Sequence, residues 1–256
     1  MHLDPAMKWV LTIRSASVDP KIQVICFPHA GGSPDMFRAW ADCFADNVDL
    51  IAVRLPGRGS RIREKPYDRW EPLVTDTFAA LAPRLSEPHV LYGHSFGGRL
   101  AYELAHLIQA EYPARTQRLF ISACRSPNTM LSRPYLHELP EQDFLAAIKS
   151  MGGTPAEILD SDLMRPLLVP IMYNEIRLTE LSNQPDGRRI DVPITAIYGR
   201  DDVFVTPANM KGWRGCSLRE SELLTMPGDH FFLETHRTQL LDIINSRLEG
   251  AKCPSS

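Results

Sequence analysis

The sequence predicts an α/β protein with a mostly parallel sheet flanked by helices, and two observations carry that expectation. Short apolar runs of strand length alternate with segments whose apolar residues recur at helical spacing, the pattern of βαβ units with strands buried on both faces. In one such unit, Pro88 to Ala105, the apolar run breaks at Gly93 and resumes with Leu100, Leu104, Leu107 and Ile108 at helical spacing. Gly93-His94-Ser95-Phe96-Gly97 lies between the two halves. Glycines around a serine at a strand-to-helix junction make the G-x-S-x-G elbow, which holds the serine on a strained residue at the tip of a sharp turn. Side chains in place of those glycines would collide, and the free N–H groups of the helix start favour the negative charge of an acyl-transfer intermediate.

Taken in order, Ile22 to Phe27 is the first strand predicted, closed by Pro28. The loop His29-Ala30-Gly31-Gly32-Ser33-Pro34 follows, and a helix opens over Asp35 to Trp40. Val48 to Val53 is the second strand, ended by the turn Pro56-Gly57. Leu73 to Leu85, with Val74, Phe78, Leu81 and Leu85 on one face, is a helix leading into the elbow strand, and Leu119 to Ala123 is the next strand. The alternation then lapses: Ser126 to Asp186 contains Pro127, Pro134, Pro140, Pro155, Pro166, Pro170 and Pro185, and its apolar residues form short helical groups such as Phe144 to Met151. Roughly 60 residues without strand signal between two sheet strands predict a helical lid, since a structureless loop of that length is uncommon in a compact domain. The sheet pattern returns at Pro193 to Gly199, Glu222 to Met226 is the last strand, and Thr238 to Leu248 a closing amphipathic helix before a frayed tail, Ala251 to Ser256. The expected organisation is one domain over residues 1–256, with a core of about 20–125 and 187–250 and a lid insertion of about 126–186.

Composition narrows the function classes. A chain of 256 residues, 44% hydrophobic, suffices for one large core, and a net charge of −3 provides no global field for nucleic acid or an anionic membrane. Asp4, Lys8 and Arg14 interrupt the N-terminal stretch, and no run approaches the ~18 apolar residues of a membrane span. Five cysteines, odd in number and widely spaced, read as reduced thiols of a cytoplasmic protein, and neither they nor the histidines have metal-ligand spacing.

A serine hydroxyl is a weak nucleophile unless a base takes its proton and a third group orients that base. On scaffolds with this elbow the partners follow in the order serine, acid, histidine. Of eight histidines only His230 and His236 lie beyond the late strands. His230, in Pro227-Gly228-Asp229-His230-Phe231-Phe232, occupies a turn after a strand and is the predicted base; His236 falls at the start of the last helix. For the acid, Gly199-Arg200-Asp201-Asp202 follows a strand, and either carboxylate suits the role. The turn needed after the strand end favours Asp202, with Asp201 the alternative. The backbone N–H of Phe96 and that of Ala30 are the predicted oxyanion donors, with His29 the near alternative to Ala30.

Phe27-Pro28-His29-Ala30-Gly31-Gly32-Ser33, Leu55-Pro56-Gly57-Arg58-Gly59-Ser60-Arg61, Gly93-His94-Ser95-Phe96-Gly97-Gly98, Ile121-Ser122-Ala123, Gly152-Gly153-Thr154-Pro155 and Pro227-Gly228-Asp229-His230-Phe231-Phe232 together resemble the type II thioesterases, stand-alone editing enzymes of non-ribosomal peptide and polyketide synthases. The resemblance runs from about Ile22 to Leu233. It implies an α/β-hydrolase fold with a helical lid, and hydrolysis of acyl or aminoacyl thioesters from the phosphopantetheine arms of carrier proteins, as in antibiotic or siderophore biosynthesis. The family's catalytic residues match Ser95, Asp202 and His230. No cofactor of its own is implied, the substrate being carried on a partner's phosphopantetheine, and the implied partners are acyl or peptidyl carrier proteins rather than nucleic acid or membrane. One departure is Met172-Tyr173-Asn174-Glu175, where the family often has an arginine-aspartate pair before an aromatic residue.

Two further features are open at this level. Arg54, Arg58, Arg61 and Arg63 read either as a solvated loop or as a patch that docks an acidic carrier protein. Met151, Met164, Leu167, Leu168, Ile171 and Met172 either line an acyl channel or pack lid helices on the core. The rival functions are a carboxylesterase or other small-molecule hydrolase on the same scaffold, and a non-catalytic subunit of a synthase.

Overall fold

The computed structural model describes residues 8–19, 21–131, 133–182 and 187–248, so the predicted C-terminal tail lies outside the described residues. Seven strands form one sheet: β1 (Val10–Arg14), β2 (Ile22–Phe27), β3 (Val48–Val53), β4 (His89–His94), β5 (Thr116–Ser122), β6 (Ile194–Gly199) and β7 (Ser221–Met226), in the order β1-β3-β2-β4-β5-β6-β7. All neighbours are parallel except β1, which pairs antiparallel with β3. The inner strands are parallel because each is apolar on both faces; every residue of β2 and β4 is buried. The sequence reading omits β1. Its residues are only half buried and include Thr12 and Arg14, so an edge strand here lacks the continuous apolar run that reveals the others.

Helices α1 (Trp70–Leu81) and α2 (Phe96–Glu111) cover one face, packing on Ile25, Val53, Leu91 and Ile121. The other face packs Trp40, Phe44 and Ile244 against Val24, Leu50 and Phe120. The predicted helix at Asp35 is a 3₁₀ segment, Pro34–Cys43, whose Ser33 cap accepts from the Asp35 N–H. The predicted helix to Leu85 ends earlier, at Leu81, and continues as a 3₁₀ turn over Ala82–Arg84, because Pro83 has no N–H for the α-helical ladder.

Between β5 and β6 the described residues form helices and turns with no strand: α3 (Glu141–Met151), α4 (Ala156–Leu159) and α5 (Arg165–Leu181). They enclose a satellite core of Leu136, Phe144, Ile148, Leu159 and Met172. Pro170 divides α5. Beyond it α5 is fastened to the sheet layer: Trp70 Nε1 donates to Leu178 O at 2.9 Å, and Arg125 Nη2 donates to Thr179 O and Glu180 O at 3.2 and 3.3 Å. After β6 come α6 (Pro207–Lys211), β7, α7 (Phe232–Thr235) and the closing α8 (Arg237–Leu248).

The topology fixes where chemistry can occur. From β2 the chain runs outward to β3 and then returns to β4 on the other side of β2, a reversal of strand order. Loops leaving β2 and β4 therefore diverge and leave a crevice at the carboxyl ends of the strands, where ligands bind in open α/β sheets. Register pairs Phe27 with Gly93, and Gly199 with Met226, so the loops after β2, β4, β6 and β7 all rise from that rim.

Candidate active site

Ser95 stands between β4 and α2 at φ 53° and ψ −119°, a backbone conformation that costs a non-glycine residue about 1–3 kcal/mol and persists only where the surroundings enforce it. Its N–H donates to Ser122 O at 2.8 Å, and close backbone approach on both sides completes the enforcement. A Cβ on Gly97 would lie 2.2 Å from Phe27 O, and one on Gly93 would lie 2.2 Å from Gly97 O. The glycines are therefore what lets α2 start against β2 and β4 with the serine raised over the rim.

His230, in the turn between β7 and α7, places Nε2 3.2 Å from Ser95 Oγ and Nδ1 2.8 Å from Asp202 Oδ2. An ionised carboxylate only accepts, so Nδ1 carries the hydrogen, and in the neutral imidazole Nε2 is left to accept from the serine hydroxyl. The Asp202 carboxylate is 0% exposed. Its Oδ1 accepts the N–H groups of Phe204 and Val205 at 2.8 and 2.9 Å, so the backbone of the turn aims Oδ2 at the histidine. Asp201 faces solvent, and its N–H donates to Gly228 O at 2.9 Å. His236 hydrogen-bonds Thr235 Oγ1 at 2.9 Å and backs onto Gly228. Ser95, His230 and Asp202 thus form one hydrogen-bonded line, and Asp201 and His236 stand outside it.

Two more histidines flank this line. His94, fully buried, has its ring centroid 5.5 Å from that of His230. His29 donates Nδ1–H to Ala30 O at 2.9 Å. Burial lowers the His29 pKa to about 4 and that of His94 well below its ordinary value, so both are neutral at pH 7. Phe231 forms the wall between them, with its ring 4.9 Å from His29 and 5.2 Å from His230. The Gly152-Gly153 tip seats on that wall: Gly153 has φ +77°, and a Cβ there would lie 2.2 Å from Phe231 Cε1.

The Ala30 and Phe96 N–H groups have no hydrogen-bond partner among the described residues, whereas the next donor along, Gly31 N–H, is occupied by Glu175 Oε2 at 2.7 Å. Glu175, on α5, is a residue the sequence reading does not identify as functional. It is 4% exposed and contacts Arg58 Nη2 at 2.6 Å through both oxygens. Arg58 in turn donates Nη1 to Pro56 O at 2.8 Å. This corrects both readings for Arg58 and Arg61, while Arg63 is exposed. Arg58 is only 3% exposed and belongs to the interior; Arg61, also buried, stacks 3.8 Å from the Trp9 ring centre and pairs with Glu64 at 2.6 Å. Neither presents its charge to a partner. The Arg58–Glu175 pair spans 117 residues, so nothing in local sequence pattern reveals it.

Ser95 and His230 open into a cavity of about 80 Å³. Its walls come mainly from apolar side chains of the helical stretch, among them Leu136, Ile148, Met151, Met172 and Ile176, with Phe204 and Phe231 on the sheet side. Met151 and Met172 thus line the cavity, whereas Leu167 is exposed and Ile171 packs against Gly57. Arg133 and Glu180 add a polar sector, held together at 2.7 Å, and Glu180 also accepts the Leu136 N–H at 2.9 Å.

Comparison with known proteins shows the family. The "Gramicidin S biosynthesis protein GrsT" of Aneurinibacillus migulanus is 27% identical over 96% of this chain and 96% of its own length. The type II thioesterase BorB from the borrelidin biosynthetic cluster is 31% identical in sequence, with a TM-score of 0.83 over 97% of this chain and 99% of that one. ClbQ from the colibactin non-ribosomal peptide and polyketide pathway is 30% identical, with a TM-score of 0.82 over 90% and 98%. Residues 22–248, the whole span from β2 to the end of α8, match the thioesterase domain family, and the chain belongs to that family of α/β-fold hydrolases.

Proposed function

We propose that the chain is a serine thioesterase that removes acyl or aminoacyl groups from the phosphopantetheine arms of carrier proteins, editing stalled non-ribosomal peptide or polyketide synthases. Ser95 is the nucleophile, His230 the general base and Asp202 its orienting group, with Ala30 and Phe96 N–H as the oxyanion donors. The observation that carries this reading is the hydrogen-bonded line from a wholly buried carboxylate through His230 to a serine at the floor of an apolar cavity. The relatives from peptide and polyketide pathways support the carrier-bound substrate.

The reaction runs in two halves. His230 Nε2 takes the Ser95 proton as Oγ attacks the thioester carbonyl, and the oxyanion is stabilised by the two N–H donors. Collapse breaks the C–S bond, and the pantetheine thiolate leaves with the proton from His230. Water, activated by the same imidazole, then attacks the acyl-serine and releases the free acid. The neutral state of His29 and His94 keeps further positive charge away from the imidazolium that forms at His230. No resident cofactor enters these steps. The helical stretch between β5 and β6 acts as a lid that excludes water and shapes the acyl site. No helix among the described residues is long and apolar enough to cross a membrane, and the four described cysteines are free; we take the protein to act in the cytoplasm.

The test compares hydrolysis of an acylated carrier protein, an acyl-CoA and the matching oxygen ester, with Ser95→Ala as control and fluorophosphonate labelling as a probe of the nucleophile. Preference for the carrier thioester, labelling at Ser95 and loss of turnover in Ser95→Ala are expected. Faster turnover of the oxygen ester would make the protein an esterase, and absence of both labelling and turnover would make it a non-catalytic subunit.

A further inference from the structure

The helical stretch between β5 and β6 reaches the loop after β2 through one charged residue. Glu175 Oε2 accepts the Gly31 N–H at 2.7 Å, and at the other end of the same peptide unit the Ala30 carbonyl accepts His29 Nδ1–H at 2.9 Å. The Ala30–Gly31 peptide is therefore gripped at both poles. Gly31 sits at φ +74°, and glycine has little intrinsic preference that would keep it there, so the grip rather than local chain stiffness sets the plane. The Ala30 N–H belongs to the preceding peptide and is hinged to this one at the Ala30 Cα, so displacing the gripped unit shifts that Cα and carries the Ala30 N–H with it. α5 reinforces the contact from above: Met172 Cγ would lie 2.6 Å from a Cβ at Gly31, so its side chain fills the space over the glycine. Arg58 supplies the compensating charge. A lone carboxylate beside this loop would oppose the negative charge that develops on the substrate oxygen, and Arg58, in contact with both Glu175 oxygens, cancels it.

We propose that Glu175 and Arg58 form a positioning pair for the thioesterase reaction: through Gly31 they hold the Ala30 N–H toward the oxyanion, so that the oxyanion hole is complete only when α5 is seated. A purely stabilising salt bridge is the weaker account, since a buried ion pair seldom outperforms apolar packing of the same volume and no stability argument needs a contact to a loop N–H. The proposal rests on the reading of Ser95 and Ala30 given above.

The experiment uses the full chain and three proteins: wild type, Glu175→Ala and Glu175→Gln. Each is assayed for kcat and KM on an acyl-CoA, and for affinity toward a trifluoromethyl ketone analogue of that thioester, which adds Ser95 Oγ at its carbonyl and places an oxyanion in the hole. Substrate affinity is measured separately in the Ser95→Ala background. Glu175→Ala is expected to lower kcat about 100-fold and ketone affinity by a similar factor, with KM and Ser95→Ala substrate affinity within about threefold, the pattern of an interaction made only in the transition state. Glu175→Gln, which keeps an oxygen for Gly31 N–H, is expected to recover at least about tenfold of both losses, and it carries the test if the alanine variant does not fold. Unchanged ketone affinity in a folded Glu175→Ala, or a kcat for it within about threefold of wild type, overturns the proposal, and if Glu175→Ala does not fold, a Glu175→Gln enzyme that loses neither kcat nor ketone affinity overturns it. A wild type that neither binds the ketone nor is labelled by fluorophosphonate overturns the Ser95 reading and this one with it; a labelled wild type with unaffected Glu175 variants overturns the positioning pair alone.

Discussion

Asparagine at position 202 would test the orienting group with little disturbance of the fold. Its carbonyl oxygen can still accept the Phe204 and Val205 N–H groups, now held at 2.8 and 2.9 Å, so the turn keeps its shape. Its amide NH₂ replaces Oδ2 and faces His230 Nδ1 across 2.8 Å, where two donors cannot coexist. The imidazole hydrogen moves to Nε2, which then points a donor at Ser95 Oγ from 3.2 Å and has no lone pair to receive the serine proton. Loss of the correct tautomer in a serine triad lowers kcat by about 10⁴, or about 5.4 kcal/mol at ~1.36 kcal/mol per tenfold. Asp201→Asn, at an exposed position outside the hydrogen-bonded line, is expected to stay within about twofold of wild type. The assay is single-turnover release of a labelled acyl group from a carrier protein, with thermal unfolding as a control for intact folding. An Asp202→Asn enzyme within about tenfold of wild type, or an Asp201→Asn enzyme equally impaired, would refute the assignment of the acid.

Three further outcomes follow from the interior. His29 and His89 have pKa values lowered to about 4 by burial, and His94 is lowered as well, so the fold holds all three neutral while the unfolded chain protonates them near 6.5. Stability is therefore full above pH 6.5 and falls as pH drops from 6.5 toward 4, with a slope approaching about 4 kcal/mol per pH unit for three protons. Urea midpoints measured across that range should decline, and His89→Gln, remote from Ser95, should decline less steeply; a flat profile would refute this. Arg58→Ala leaves the Glu175 carboxylate buried without its partner and should cost about 3–5 kcal/mol in chemical denaturation, whereas Arg63→Ala, at an exposed position, should cost under about 0.5 kcal/mol. Gly97→Ala drives a Cβ to 2.2 Å from Phe27 O, which is backbone and cannot swing aside. This variant should lose at least about 1–3 kcal/mol of stability and most fluorophosphonate labelling, both measured on purified protein.

What was legible in the sequence is what local pattern encodes. β2 to β6 announce themselves because the buried parts of parallel inner strands run apolar, β7, an edge strand, through Leu223, Leu224 and Met226, and the elbow because only glycine fits where Gly93 and Gly97 meet neighbouring backbone. β1 is silent because Thr12 and Arg14 break its half-buried apolar residues into pieces too short to read as a strand. Turn logic favours Asp202 over Asp201 without deciding between them, because what holds Asp202, two N–H donors from Phe204 and Val205, depends on a turn geometry that residue identity does not specify. Arg58 misled because a run of arginines is usually solvated; its burial depends on a carboxylate that comes beside it only when α5 folds back over the rim. The Gly152-Gly153 pair could be noticed in sequence, but its purpose depends on Phe231, nearly eighty positions later along the chain and in van der Waals reach only after folding.

The antiparallel strand at the edge of the sheet has a consequence for which surface a second copy could pair with. β3 is buried almost throughout, and β1 is all that covers its outer hydrogen-bonding edge. β1 is anchored by Arg14 on Asp46 at 2.8 Å and by the Ala16 N–H on the Asp49 carboxylate at 2.7 Å. A chain begun at Ile22, where the thioesterase family match starts, would retain the Ser95 line and the cavity yet offer β3 as a bare apolar template to the next molecule. The far edge has its own guard in Glu222 of β7, paired with Arg247 at 2.7 Å. β1 therefore occupies, among the described residues, the β3 edge on which a second copy could otherwise pair.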